Sequence, residues 1–242
     1  MRTRLLVVLA CGLLIFAACS IAFISGWWIP NFPDEKEYPI RGIDVSAHQG
    51  HIDWQRVAGS GIRFVYLKAT EGGDFQDKAF AENLRGAREA GLACGAYHFF
   101  RLGTPGREQA MNFIHTVPKQ DLALPPAIDL EFWGNSAARP APDAFQTQLS
   151  IFTDALAKSG GKAPVLYVGS DFASVYFASP SSESKWIRNI FLNPVWNGNK
   201  SWLFWQFSDR GQVPGIDGFV DMDVFNGTAD RFAALTQKGA IP

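Results

Sequence analysis

Cysteine is scarce. Three occur in 242 residues, and two of them, Cys11 and Cys19, fall within the first 30. Cys94 stands alone in the remainder, so no disulfide can staple that part of the chain to itself. It sits in an apolar strand pattern without a basic or polar neighbour to activate it, so it reads as a small buried hydrophobe and not as a nucleophile. The four histidines, His48, His51, His98 and His115, show no ligand spacing. No metal and no cofactor is therefore expected. An oxygen-rich cation site on Asp44, Asp129, Glu131 and Asp221 stays open as the basis of a metal-dependent alternative. Net charge is only −1, which gives no reason to expect nucleic acid as a partner. Internal repeats, low-complexity tracts and charge blocks are absent. No G-x-G-x-x-G follows the first strand, which removes the support for a dinucleotide fold.

What the chain does have is apolar mass. Hydrophobic residues make up 47% and aromatics 14%, ample for one sizeable core. A first uncharged run covers residues 5–29 behind Arg2 and Arg4. About 20 apolar residues span a bilayer, and basic residues before the run with Asp34 and Glu35 after it place the N-terminus inside and the rest outside. Trp27 and Trp28 suit the outer interface. The expectation is a single-pass anchor over residues 1–30, a short linker over 31–39 and a catalytic domain over 40–242. That places the domain on the outer side of a bacterial cytoplasmic membrane. A cleaved signal peptide and a lipoprotein box at Phe16-Ala17-Ala18-Cys19 are the alternatives.

Strand and helix patterns alternate after residue 40. Strands are expected over residues 41–46, 63–69, 92–100, 126–132 and 163–168, each followed by a helical stretch. Asp53 is a candidate cap of the first. Phe80, Leu84 and Ala87 mark the second, stopped by Gly91. Thr104-Pro105 opens the third, with Met111, Ile114 and Val117 on one face. Pro142 opens the fourth, with Phe145, Leu149, Phe152 and Leu156 inward. Three more strands, over residues 185–191, 202–207 and 219–224, are joined by loops. The fold class is therefore α/β: an irregular TIM-like (β/α) barrel of five β/α units followed by three strands. An open doubly wound sheet is the structural alternative.

In such a barrel, chemistry sits at the C-terminal strand ends. Those ends carry Asp44, Glu71, Tyr97-His98, Asp129 with Glu131, Tyr167, Trp205-Gln206, and Asp221 with Asp223. Asp129 and Glu131 stand at i and i+2, so they share one face of their strand. Two adjacent carboxylates repel, which raises at least one pKa, and a neutral acid beside an anion is what glycoside hydrolysis requires. Tyr97, Phe99, Tyr167, Trp186 and Trp205 are candidate walls of a cleft, since sugar rings stack on aromatics.

Several motifs carry a resemblance in order along the chain. They are GIDVSAHQG from Gly42, FVYLKATEGGDFQD from Phe64, GAYHFFR from Gly95, PAIDLE from Pro126, VLYVG from Val165, WQFSD from Trp205 and VDMDVFNG from Val220. Together they resemble the glycoside hydrolase family 25 lysozymes, the Chalaropsis-type muramidases. The resemblance implies the barrel just described. It also implies cleavage of the β-1,4 bond between N-acetylmuramic acid and N-acetylglucosamine in peptidoglycan glycan strands, by a monomer. Carried over motif by motif, Glu131 is the general acid, Asp129 assists the substrate N-acetyl group, and Asp44 and Asp221 are supporting carboxylates. Glu71, Tyr97, His98, Tyr167, Trp205 and Gln206 fall to substrate binding. Arg188 departs from the pattern, standing where a small residue is more usual. A catalytically silent glycan-binding module is the alternative from another class.

Overall fold

A computed structural model describes residues 2–118, 122–177, 184–196, 198 and 200–237. Residues 119–121, inside the expected barrel domain, and 238–242, at its C-terminal end, lie outside the described residues.

Among the described residues nine strands and seven α-helices follow one another as α1 (Arg2–Ile24), β1 (Arg41–Val45), α2 (Trp54–Gly59), β2 (Ile62–Glu71), β3 (Phe75–Gln76), α3 (Phe80–Glu89), β4 (Ala93–Phe99), α4 (Gly106–Thr116), β5 (Ala127–Leu130), α5 (Pro142–Lys158), β6 (Val165–Gly169), α6 (Ser170–Tyr176), β7 (Lys185–Arg188), β8 (Phe204–Gly211), β9 (Val220–Phe225) and α7 (Ala229–Thr236). Eight of the strands close a barrel, because β1 pairs with both β9 and β2; β3 is a short antiparallel addition to β2. Five β/α units lead and three strands close, as expected. The eighth barrel strand corrects one detail: β9 runs antiparallel to both β8 and β1. Asp221 therefore lies near the start of its strand, not the end. The reversed direction still carries it to the same rim as Asp44, its direct cross-strand partner.

Local chemistry explains most element boundaries. The Asp53 side chain accepts from Arg56 N and caps α2. Gly91 ends α3 with φ near 81°, a conformation that favours glycine. Phe80, Leu84 and Ala87 of α3, and Phe145, Leu149, Phe152 and Leu156 of α5, are buried. In α4 Ile114 packs against the core and Val117, the C-cap, is buried, both as expected, joined by Ala110 and Phe113, while Met111 is 38% exposed.

Two apolar layers result from strand alternation. Phe64, Tyr66, Ala127, Val165, Tyr167, Trp186, Phe204 and Phe225 fill the barrel interior. Ile43, Val65, Leu67, Ile128, Leu130, Leu166, Val168 and Trp205 face outward against the helices and loops. The inner aromatics fit because glycines stand beside them. A Cβ at Gly42 would come within 2.3 Å of the Phe64 ring, and one at Gly95 within 2.3 Å of Tyr66.

Among the described residues no helix lies between β7, β8 and β9, and the segment expected to be a linker covers their outer face instead. Phe32 packs edge-on against Phe207, Tyr38 lies between Trp202 and Trp205, and Asn31 Nδ2 donates to the carbonyls of Asn189 (2.9 Å) and Leu192 (3.2 Å). Residues 31–38 thus form a strap over the outer face of β8, hiding Trp205 and Phe207 from water. Within α1, Leu6–Ile24 is long and apolar enough to cross a membrane, and that stretch is not buried by the barrel.

Candidate active site

Four acids converge where the strands end. Asp44 (β1), Asp129 (β5), Glu131 (one residue past β5) and Asp221 (β9) line one cleft with Lys68, Tyr97, Phe99, Trp133, Tyr167, Trp186 and Gln206. Alternation decides each case. Ile128 and Leu130 turn out to the helices, so Asp129 and Glu131 turn in.

Beneath the cleft a chain of polar contacts crosses the barrel. The Tyr167 hydroxyl donates to Gln206 Oε1 (2.9 Å), and Gln206 Nε2 donates to Asp44 Oδ2 (2.9 Å). Trp186 Nε1 donates to Asp223 Oδ1 (2.8 Å). Asp44 and Asp223 are both buried, and Asp223 Oδ2 has no hydrogen-bond partner. Burial raises Asp44 well above the usual carboxylate range, and the Asp223 charge adds to it. Burial also raises Asp223, followed by the Asp221 charge.

The two acids of the sequence motif share this environment. Burial pushes Glu131 up to about 7, while Arg188 and Lys68 pull the other way and Asp171 adds to the rise. Asp129 is raised well above its ordinary value, first by burial and then by the charges of Glu131 and Asp44. The pair therefore holds a proton near neutral pH, because two ionised carboxylates in this site repel. Asp129 Oδ1 is buried without a hydrogen-bond partner, which makes it an acceptor awaiting a donor. Asp221 is raised too, by burial first and then by Asp44. Among the described residues no group of three or more His, Cys, Asp or Glu has metal-ligating geometry.

Three residues expected to touch substrate are placed elsewhere. His98 turns outward: its ring nitrogens meet Thr70 Oγ1 (2.7 Å) and Gln109 Oε1 (3.0 Å), and its ring packs against Phe113 and Phe152. Burial lowers it to about 4, so it stays neutral. Trp205 also faces out, under the strap, with Nε1 donating to Asn189 O (2.8 Å). Both sit one residue from an inward neighbour, Tyr97 and Gln206, and strand alternation separates them. Glu71 lies outside the cleft lining. A register shift in β2 between Lys68 and Thr70 puts Glu71 back on the side of Lys68, and the two pair at 2.7 Å. Arg101 closes on Glu71 from the other side. Burial alone would raise Glu71, but Lys68 and Arg101 together hold it below its ordinary range. It is a fixed anion that positions Lys68.

Lys68 and Trp133 were missing from the expected site. Lys68 stands two residues from Tyr66 on an inward face, and Trp133 two residues past Glu131, so the same period of two signals both. Trp133 is 85% exposed at the cleft. Arg188, at the end of β7, pairs with Asp209 at 2.9 Å and lends positive charge to Glu131 and Asp221.

Comparison with known proteins agrees with this geometry. Residues 43–216 match the family described as Glycosyl hydrolases family 25. An uncharacterized protein of Escherichia coli O157:H7, YegX, is 39% identical over 204 residues, covering 82% of this chain and 74% of the relative. Lysozyme M1 of Streptomyces globisporus is 32% identical over 213 residues, covering 83% and 72%. A solved family 25 glycosyl hydrolase from Bacillus anthracis superposes with a TM-score of 0.79 at 34% identity, covering 85% of this chain and 97% of that one. An acid pair at the rim of a closed mixed barrel, with this match across the barrel, shows that the chain is a glycosidase belonging to glycosyl hydrolase family 25.

Proposed function

We propose that the protein is a peptidoglycan hydrolase that cleaves the β-1,4 bond between N-acetylmuramic acid and N-acetylglucosamine. Glu131 is the general acid and Asp129 the partner of the substrate acetamido group. The observation that carries the reading is the buried Asp129–Glu131 pair, with a proton at Glu131 near neutral pH and an unpartnered oxygen on Asp129. The lysozyme and muramidase names of relatives support the substrate class.

The roles follow from the chemistry. Asp129 Oδ1 accepts the acetamido N–H of the muramic acid residue and turns its carbonyl oxygen toward the anomeric carbon. That oxygen attacks as the glycosidic bond breaks, and Glu131 gives its proton to the departing glucosamine oxygen. Glu131 then takes a proton from the water that opens the cyclic intermediate. Asp221 and the buried Asp44 and Asp223 hold the floor of the site. Trp133 offers an exposed face on which a sugar ring stacks.

The apolar α1 is read as an uncleaved anchor that keeps the enzyme on the outer side of the cytoplasmic membrane, beside its polymer. The bond assignment is tested by mass analysis of digested peptidoglycan. Muramic acid is expected at the new reducing ends; glucosamine there would overturn the assignment. Recovery of a shortened, soluble mature chain from cells would replace the anchor by a cleaved signal.

A further inference from the structure

The anchor joins the barrel at its catalytic end and without a spacer. Leu6–Ile24 covers 19 residues, about 28 Å at 1.5 Å per residue, which matches the ~30 Å apolar core of a bilayer. The chain therefore leaves the lipid at Ile24, and it is bonded to the barrel at once. Arg210 Nη1 donates to Ile24 O (3.3 Å) and Gln212 Nε2 to Ser25 O (2.8 Å). Gly26 lies so close that a Cβ would stand 2.4 Å from Arg210 O. Arg210 and Gln212 belong to the β8–β9 hairpin, whose outer end, where Gly211 pairs with Val220, extends past the strand ends that carry the acids.

The same end carries exposed apolar side chains continuous with α1. Phe191, in the loop after β7, stacks on Phe23 of α1 at 5.7 Å and is still 59% exposed. Leu192 beside it is 69% exposed, and Trp27, Trp28 and Phe219 are exposed as well. The Arg210 guanidinium lies over both the Phe23 and Phe219 rings, at 5.4 and 5.9 Å. An Arg among aromatic rings at the end of an apolar helix is the composition of a membrane interface.

We propose that the loop after β7 and the tip of the β8–β9 hairpin form a second, interfacial contact with the bilayer. Phe191, Leu192 and Phe219 enter the headgroup boundary and Arg210 meets lipid phosphates. The barrel end that bears the cleft then rests on the membrane, and the glycan strand enters along the membrane surface. This rests on the anchor reading above: a chain that loses α1 loses the helix that sets this depth.

The test uses the full chain with Cys11→Ser and Cys19→Ser. Cys94 remains, buried and with its thiol pushed up to about 12, so it does not label. Leu192→Cys carries an environment-sensitive fluorophore, and Lys158→Cys, exposed at the end of α5 on the opposite side of the barrel, carries the same one in parallel. Both proteins are reconstituted into phosphatidylethanolamine–phosphatidylglycerol vesicles with and without doxyl-labelled lipid, and floated. With an interfacial depth of ~5–10 Å, the label at 192 is expected to shift to the blue and to be quenched at least about twofold more than that at 158. Floated protein with equal, water-like signals at both sites overturns this proposal alone. Protein that fails to float overturns the anchor reading and the proposal with it. Thermal melts and muramidase activity in detergent check that both labelled chains are folded.

Discussion

Glu131→Gln should stabilise the protein while disabling it, and the gain should depend on pH. In the unfolded chain the Glu131 carboxyl ionises near its ordinary 4.5; in the folded chain burial holds it at about 7. The folded state thus keeps a proton that the unfolded state releases, and stability falls as pH rises between those two values. From these pKa values the cost of Glu131 is about 1 kcal/mol at pH 5 and about 3 kcal/mol at pH 8. Glutamine has the shape of the neutral acid and removes that cost at both pH values. For a chain of this size the gain in Tm is roughly 2–4 °C at pH 5 and 6–12 °C at pH 8. Loss of the Glu131 charge also lets Asp129 ionise more easily, which adds in the same direction. Melts of both proteins at the two pH values measure the difference, and peptidoglycan turnover should fall by roughly 10²–10⁴. A gain of the same size at both pH values, or no gain at pH 8, would refute the account of Glu131 as a buried acid.

The two carboxylates should separate by leaving group. On a synthetic glycoside of an acidic phenol, which departs without a proton, Glu131→Gln is expected to recover much of its rate while Asp129→Asn stays impaired; the reverse pattern would exchange their roles. Trp133→Ala should raise KM for a soluble glycan oligomer roughly two- to twelvefold with kcat kept, since stacking contributes about 0.5–1.5 kcal/mol to binding; an unchanged KM removes Trp133 from substrate binding. Tyr38→Ala should destabilise the fold by about 3–5 kcal/mol through the opened strap, read by denaturant titration, with the acid groups untouched. A chain beginning at Asn31 should be soluble and active because it keeps Phe32 and Tyr38. One beginning at Ile40 should melt far lower, and equal melts would show the strap to be dispensable.

Periodicity carried much of this protein. Apolar residues at helical spacing placed α3 and α5, and turn and cap residues such as Asp53 and Gly91 marked boundaries, because these signals act over a few neighbouring positions. The i, i+2 spacing of Asp129 and Glu131 put both on one face for the same local reason. The linear chain could not say which face of each strand becomes the inside. His98 and Trp205 are aromatic and stand beside the cleft residues Tyr97 and Gln206, yet each is one residue out of phase with the cleft, and only the closed barrel gives that phase a direction. Lys68 and Glu71 fall together because of a register shift in β2, which no local pattern marks. Asp221 reaches Asp44 because β9 runs backwards, a matter of long-range pairing. Residues 31–38 look like a linker because they are polar and proline-containing. They become a strap because among the described residues no helix lies between β7, β8 and β9, and an uncovered Trp205 and Phe207 leave apolar surface that something in the chain must bury. The raised pKa values likewise belong to the tertiary structure, since burial and the convergence of charges from different strands are its products alone.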